Sequence, residues 1–449
     1  MHVAVSDGLL SARGAKAAGP GGSQLILDVI NNLYDAETNP DGYVSLGIAE
    51  NALMHREMAQ YIKKSFDLPE VALTYGDGAS GSNRLRMAIS HFFNRHFDPV
   101  CPVKPEHLIV SNGVTTSIEG CAFALGNHGD GFLLGQPYYG SFPRDLGDRA
   151  GIKVISVKFG NVDPFGVEAV TKYEDALLRS EKAGTKVKAL ILSNPHNPLG
   201  RCYPHETLIA FMRLCQKHRI HLISDEIYAL STWHNPEYPN AATFTSVLAI
   251  DTKDVIAPEL VHVQWGLSKD FGANGLRIGC VISQHNPRMI SALRAHGLFT
   301  FPSSPSDHIA CKVLEDDEWT DWYVGENQKR LSQNYAMAIK FLKDHDVPYY
   351  PASNAAFFVW VDLGAAVQRR RVSRNVMALK DLSLDDSDSN GYTEITADIM
   401  SKLLAQKVFL ASGEAFGSER PGWFRIVFSQ PKEYLENGLG RMLKAIEHY

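Results

Sequence analysis

The chain has 449 residues, 45% of them hydrophobic and 21% charged, and a formal net charge of −6. Such a length and composition are ordinary for a soluble globular protein of two or three layered units around a sizeable core. They exclude a general nucleic-acid or anionic-membrane binder, whose affinity rests on a basic surface.

No apolar run approaches bilayer length, so no transmembrane helix is expected. The first residues lack a long apolar stretch, which argues against a secretory signal. Arg13 and Lys16 among small residues leave an organelle transit peptide open. Cys101, Cys121, Cys202, Cys215, Cys280 and Cys311 show no C-x-x-C spacing and no clustering with histidine. They read as reduced, mostly buried thiols of a cytoplasmic protein, with no disulfide frame and no metal site.

From about residue 85 to 310, short apolar segments alternate with helical patterns. Strands are predicted at Leu108–Val110, Phe132–Leu134, Val154–Val157, Ala189–Leu192, His221–Ser224, Val261–Val263 and Cys280–Ile282. Continuous apolar strands between helices predict an α/β fold with a largely parallel sheet covered on both faces. Beyond about Ser303, helical stretches lead to Ala356–Val361 and then Trp423–Phe428, the pattern of a smaller α+β domain. Between Arg369 and Asn390, the runs Arg369-Arg370-Arg371 and Asp385-Asp386-Ser387-Asp388 predict a solvated or disordered loop.

Polar candidates fall just past strand ends, where ligands of open α/β sheets bind. Ser111–Ser117 follows the first strand and precedes the helical run Ile118–Leu125. The amides of Val114 and Thr115, with the Thr115 hydroxyl, would form an anion site at a helix N-terminus, or serve as a cap alone. In Pro137-Tyr138-Tyr139-Gly140, Tyr139 offers a flat ring for stacking, or half of an aromatic core pair. Asn194-Pro195-His196-Asn197-Pro198-Leu199-Gly200 is a turn by composition and presents Asn197. Asp225 ends a strand in Ser224-Asp225-Glu226-Ile227-Tyr228, either as a helix N-cap or as a carboxylate beside a ring nitrogen.

The run Gly266-Leu267-Ser268-Lys269-Asp270-Phe271-Gly272 leads to Gly275-Leu276-Arg277-Ile278-Gly279. A lysine after a small turn, with an arginine eight residues on, is what pyridoxal phosphate requires. The lysine forms a Schiff base and the arginine grips the phosphate bidentately. A carboxylate such as Asp225 would keep the pyridine nitrogen protonated, and Tyr228 and Asn197 would reach the phenolic oxygen.

With these segments in this order, the chain resembles the class I/II aminotransferase superfamily of fold-type I pyridoxal-phosphate enzymes. Within it, the resemblance is to 1-aminocyclopropane-1-carboxylate synthases and their fungal synthase-like relatives. Gly47-Ile48-Ala49-Glu50-Asn51 is similar to the synthases' Gly-Leu-Ala-Glu-Asn. Ser353-Asn354-Ala355-Ala356-Phe357-Phe358-Val359-Trp360-Val361-Asp362-Leu363 is similar to their Ser-Asn-Ala-Gly-Leu-Phe-Cys-Trp-Met-Asp-Leu, and Pro421-Gly422-Trp423-Phe424-Arg425 matches theirs. The resemblance runs from about Leu10 to the C-terminus.

It implies a mostly parallel seven-stranded sheet with helices on both faces and a smaller α+β C-terminal domain. The implied division is an N-terminal arm and segment over 1–60, a large cofactor-binding domain over 61–310 and a small domain over 311–449. Lys269 would be the cofactor lysine and the base at the substrate Cα, and Arg277 and Ser268 would serve the phosphate. Asp225, Tyr228 and Asn197 would hold the ring, with Tyr139 stacked on it. Arg425 would bind the substrate α-carboxylate, Asn354 would sit beside it, and Glu50 would face the substrate. Tyr75 would reach the neighbouring subunit's phosphate, which implies a homodimer.

Three departures stand out. Gly266 replaces the family's usual serine, so one phosphate hydrogen bond is lost or supplied by Ser268 or water. The synthases' Tyr-His-Gly-Leu-Pro stretch is here Tyr75-Gly76-Asp77-Gly78-Ala79-Ser80-Gly81, and their Asn-Gln-Leu is Asn51-Ala52-Leu53. These last two changes touch the substrate side. Glu50 and the Gly47–Asn51 segment support a carbon–sulfur lyase acting on S-adenosylmethionine or a cysteine conjugate, with an ordinary aminotransferase as the alternative. A non-catalytic regulator on the same fold is disfavoured by the complete cofactor set.

Overall fold

Each of the seven apolar runs between residues 108 and 282 becomes a strand in the computed structural model, which describes residues 9–19, 23–374, 389–447 and 449. In chain order the strands are β1 (Val44–Ser45), β2 (Leu108–Asn112), β3 (Gly131–Gly135), β4 (Lys153–Val157), β5 (Val187–Ser193) and β6 (His221–Asp225). They continue with β7 (Val261–Gly266), β8 (Ile278–Ile282), β9 (Phe358–Asp362), β10 (Val408–Phe409), β11 (Ala411–Ser412) and β12 (Trp423–Val427). β2 to β8 form one sheet in the order β2-β8-β7-β6-β5-β3-β4. β8 pairs antiparallel with both neighbours, while the other pairs are parallel.

Side chains alternate across a strand, so a sheet buried on both faces needs apolar residues at every position. Leu190, Leu222 and Val263 enter one hydrophobic cluster with Phe92, Phe93 and Phe211 of covering helices. Their neighbours Ala189, Ile191 and Ile223 enter a second cluster with Ile118, Met289, Ile339 and Leu342. A second, antiparallel sheet has the order β11-β12-β9, and β1 pairs in parallel with β10, joining Val44 to Val408.

Gly266 and Gly279 face each other across β7 and β8. A Cβ at Gly266 would collide with the Ile278 carbonyl, and one at Gly279 would lie 2.5 Å from Val114 N. The missing side chains let the start of the helix Val114–Leu125 settle directly onto the sheet. The Gly266 backbone thus has no room for the serine the family usually carries there.

Three expectations need correction. The helix predicted over Ile118–Leu125 begins at Val114, and Ser111 and Asn112 belong to β2. Asp225 does not cap a helix; turns follow it. Arg369, Arg370 and Arg371 are helical, within Leu363–Arg374, instead of lying in a loop. Leu363, Ala366 and Val367 bury one face of that helix, and Arg370 donates to the Ala366 and His345 carbonyls at 3.1 and 2.9 Å. The Asp385–Asp388 run lies outside the described residues. Among the described residues no helix is long and apolar enough to cross a membrane. All six cysteines are unpaired, and five are buried.

Candidate active site

Parallel strands deliver their carboxyl ends to one edge of a sheet, and this edge collects the predicted residues. Asp225 ends β6, Lys269 lies in the single helical turn Leu267–Asp270 that follows β7, and Asn197 lies in the turn after β5. β8 runs the other way, so Arg277 at its start reaches the same edge.

Lys269 is half-buried, and its Nζ donates to the Ala49 carbonyl at 2.6 Å. Burial pushes its pKa down to about 8; Arg425 and Arg277 add to that, while Glu50 and Asp225 oppose it. Those four charged side chains lie near enough to act on the one amine. Asp225 is 5% exposed, and burial pushes its carboxyl up to about 7 against the Ile227 N–H and Lys269. Its Oδ1 is buried without a partner. An orphaned buried acceptor is costly, and a ring N–H would satisfy it.

Arg425, on β12, is 4% exposed. Its Nη1 donates to Asn197 Oδ1 at 2.8 Å and its Nη2 to the Gly47 carbonyl at 2.7 Å. The guanidinium lies over the rings of Phe358 and Phe416, at 4.3 and 4.7 Å from their centroids. Burial lowers its pKa to about 10, and its Nε has no partner. Because Asn197 Oδ1 accepts from Arg425, the Asn197 amide nitrogen remains to donate elsewhere. Asn354 is 5% exposed, gives its Nδ2 to the Ala242 carbonyl at 2.8 Å and leaves Oδ1 buried without a partner.

Tyr228 packs edge-on against Phe357 and Phe358, and burial raises its hydroxyl pKa well above the usual tyrosine range. Arg425, Asp225 and Tyr139 also act on it, which places all four groups together. Tyr139 is half-buried and edge-on to Phe142, 5.3 Å between centroids.

The anion cradle is built from backbone. Val114 and Thr115 open the helix Val114–Leu125, so helix geometry leaves their N–H groups without intrahelical acceptors. Arg277, with φ +54, donates from Nη1 to the Asn274 carbonyl at 3.0 Å. Gly113, with φ +85, brings the helix start against Arg277; a Cβ there would collide with the guanidinium. Ser268 is 7% exposed. These residues fit pyridoxal phosphate: free amides and a guanidinium for the phosphate, an amine for the aldehyde and an unpartnered carboxyl oxygen for the ring nitrogen.

Glu50 is exposed and makes no ion pair among the described residues. Tyr75 stands apart from this group. It is 88% exposed and lines a cavity of about 270 Å³ with Val71, Arg84, Phe301 and His308.

Sequence reasoning assigned no role to Asp270 or Asn327. Asp270 is 1% exposed and accepts from Ser231 Oγ at 2.8 Å, Trp265 Nε1 at 3.1 Å and Leu230 N at 3.2 Å. The available signal was a carboxylate within a run of small and apolar residues. Asn327 belongs to the buried line Tyr323, Asn327, Leu331 and Tyr335 of the helix Asp317–Asp344, and the signal was an amide on an apolar stripe.

A family model described as aminotransferase class I and II matches residues 43–442. The chain is 30% identical to 1-aminocyclopropane-1-carboxylate synthase 2 of Cucurbita pepo, over 89% of this chain and 77% of that protein. It is 31% identical to 1-aminocyclopropane-1-carboxylate synthase-like protein 1 of Mus musculus, over 92% of this chain and 78% of that protein. It is also 31% identical to the probable aminotransferase tcpI of Claviceps purpurea, over 90% of this chain and 89% of that protein. Among solved structures, aspartate aminotransferase from Thermus thermophilus with maleate is similar, at 21% identity and a TM-score of 0.72. That likeness covers 97% of this chain and 99% of the other.

Proposed function

The chain belongs to the aminotransferase class I and II family, and from that premise we propose that it is a pyridoxal-phosphate-dependent carbon–sulfur lyase of the 1-aminocyclopropane-1-carboxylate synthase-like type. Its substrate is a sulfur-containing amino acid, either S-adenosylmethionine or a cysteine conjugate. When bound, the cofactor supplies a conjugated ring that takes up the electron pair left at the substrate Cα. The protein supplies binding, orientation and proton transfer.

Arg425 grips the α-carboxylate with the N–H groups that Asn197 and Gly47 leave free, and Asn354 lies beside it. Lys269, once free, takes the Cα proton; a pKa near 8 gives it a neutral fraction at neutral pH that an exposed lysine lacks. Asp225 holds the proton at the ring nitrogen. Tyr228 and the Asn197 amide hold the phenolic oxygen, and Tyr139 covers the ring. Val114, Thr115, Ser268 and Arg277 hold the phosphate. Tyr75 serves the partner subunit of a homodimer.

The observation that carries the lyase reading is Glu50. It is exposed, it acts on the Lys269 amine, and it directly follows the residue whose carbonyl receives that amine. Nothing in cofactor binding calls for it. A carboxylate here can stabilise a sulfonium or move a proton at Cβ or Cγ during elimination. Glu50→Gln should lower carbon–sulfur cleavage by about 100-fold while leaving substrate binding and side transamination in place. Cleavage at the wild-type rate overturns this role.

The second reading is an aminotransferase that moves an amino group from an amino acid to a 2-oxo acid. It uses the same Lys269, Asp225 and Arg425. The similarity to the probable aminotransferase of Claviceps purpurea, spanning nearly all of both chains, supports it.

A further inference from the structure

The helix Asp317–Asp344 supplies no group to the chemistry above, yet its polar side chains hold the backbone of the segments that do. Asn327 Oδ1 accepts from Asn51 Nδ2 at 2.9 Å, and Asn327 Nδ2 donates to the Asp270 carbonyl at 3.4 Å. Gln328 donates to the Leu230 carbonyl at 2.9 Å, Arg330 to the Leu53 carbonyl at 2.6 Å, and Asn334 to those of Phe428 and Gln430 at 2.8 and 2.7 Å.

Asn327 is the member of this set that bridges the segment bearing Glu50 and the turn bearing Lys269. It is 1% exposed, and Asn51 is fully buried. In that setting a lost amide partner leaves a costly orphan. The two segments are also in direct contact. Gly272 has φ +59, and a Cβ there would collide with the Asn51 carbonyl. His55 Nε2 lies 3.0 Å from the Gly272 carbonyl, and Tyr323 donates to the Phe271 carbonyl at 2.7 Å. Between the same two segments, Lys269 Nζ donates to the Ala49 carbonyl at 2.6 Å.

We infer that Asn327 is a positioning residue whose carboxamide ties Ala49–Asn51 to the Lys269–Gly272 turn, so that the Ala49 carbonyl is the acceptor on which the free Lys269 amine docks. The inference rests on Lys269 being the reacting amine. A docked amine donates one N–H and keeps its lone pair directed away from the carbonyl. The charged amine gains more from that carbonyl than the neutral one does. Arg425, Glu50, Arg277 and Asp225 also act on the amine, and all four remain when Asn327 is changed.

The test is pulse acylation of the cofactor-free full-length chain with acetic anhydride across pH, with the Lys269 peptide quantified by mass. Asn327→Ala and Asn51→Ala should each lower the midpoint of Lys269 reactivity by roughly one pH unit, the effect of one lost hydrogen bond to a charged group. The double variant should fall no further than either single one, because both remove the same tie. An unmoved midpoint in a folded variant, or single shifts that add, overturns the inference. Asn51→Ala breaks the tie from its other end, so it decides the matter alone if Asn327→Ala does not fold. In the holoenzyme, Asn327→Ala should lower kcat while the KM for the amino acid stays within about twofold; a rise in KM to match overturns it. Borohydride mapping of the wild-type holoenzyme tests the lysine assignment separately. A pyridoxyl label on another lysine defeats that reading and leaves the midpoints of Lys269 readable.

Discussion

A half-buried lysine and a buried arginine decide most of what this site can do. Burial disfavours the Lys269 ammonium, so its folded pKa of about 8 lies below the ordinary lysine value of 10.5. Acylation of the cofactor-free chain should therefore reach half its limit for Lys269 near pH 8, and near 10.5 if the amine were solvated. The same shift has a stability consequence. The ammonium's burial cost is fully present below pH 8 and is relieved as pH rises through 8 toward 10.5. Arg425 is fixed from two sides by Asn197 and Gly47, which aims the rest of its fork. Lysine cannot copy that geometry. Arg425→Lys should raise KM for every amino-acid substrate roughly 10- to 100-fold, with unchanged cofactor absorbance. Unchanged KM would remove Arg425 from carboxylate recognition.

Glycines set the spacing between the elements that carry these groups. Gly266, Gly279 and Gly113 let β7, β8 and the helix Val114–Leu125 close on one another. Gly266→Ser, a return to the family's usual residue, should cost about 1–3 kcal/mol by overpacking against the Ile278 carbonyl. Thermal or urea unfolding reads this directly; an unchanged midpoint would mean that the strands part without strain. The strands were readable because apolar runs punctuated by turns leave few alternatives. Helix boundaries were less so. Val114–Ser117 looks like a cap by composition, and it became helix because Gly113 turns the chain straight into it. The Arg369–Arg371 run looks solvated, but the burial of Leu363, Ala366 and Val367 just before it carries the helix through.

Across the molecule, the sequence named the groups and the sheet explains how they meet. Asn197, Asp225, Lys269 and Arg277 are far apart in the chain, and strand direction alone places them on one edge. Arg425 and Gly47 could not be paired from sequence, because their bond depends on β12 and the β1–β10 pairing lying close together. The Asn51–Asn327 bond spans 276 residues and has no motif. Tyr75 is the residue left outside the single-chain site, with Leu73, Leu298 and Phe299 among the exposed apolar side chains. Its proposed role needs a second copy.

Product identity tests the lyase reaction most directly. Purified protein with pyridoxal phosphate should be incubated with S-adenosylmethionine, a panel of cysteine conjugates and a panel of 2-oxo acids, with products identified by mass. Cleavage of a carbon–sulfur bond, giving a cyclopropane amino acid or a released thiol independent of any 2-oxo acid, is the predicted result. Amino-group transfer to a 2-oxo acid with every carbon–sulfur bond intact would contradict it and establish the aminotransferase reading.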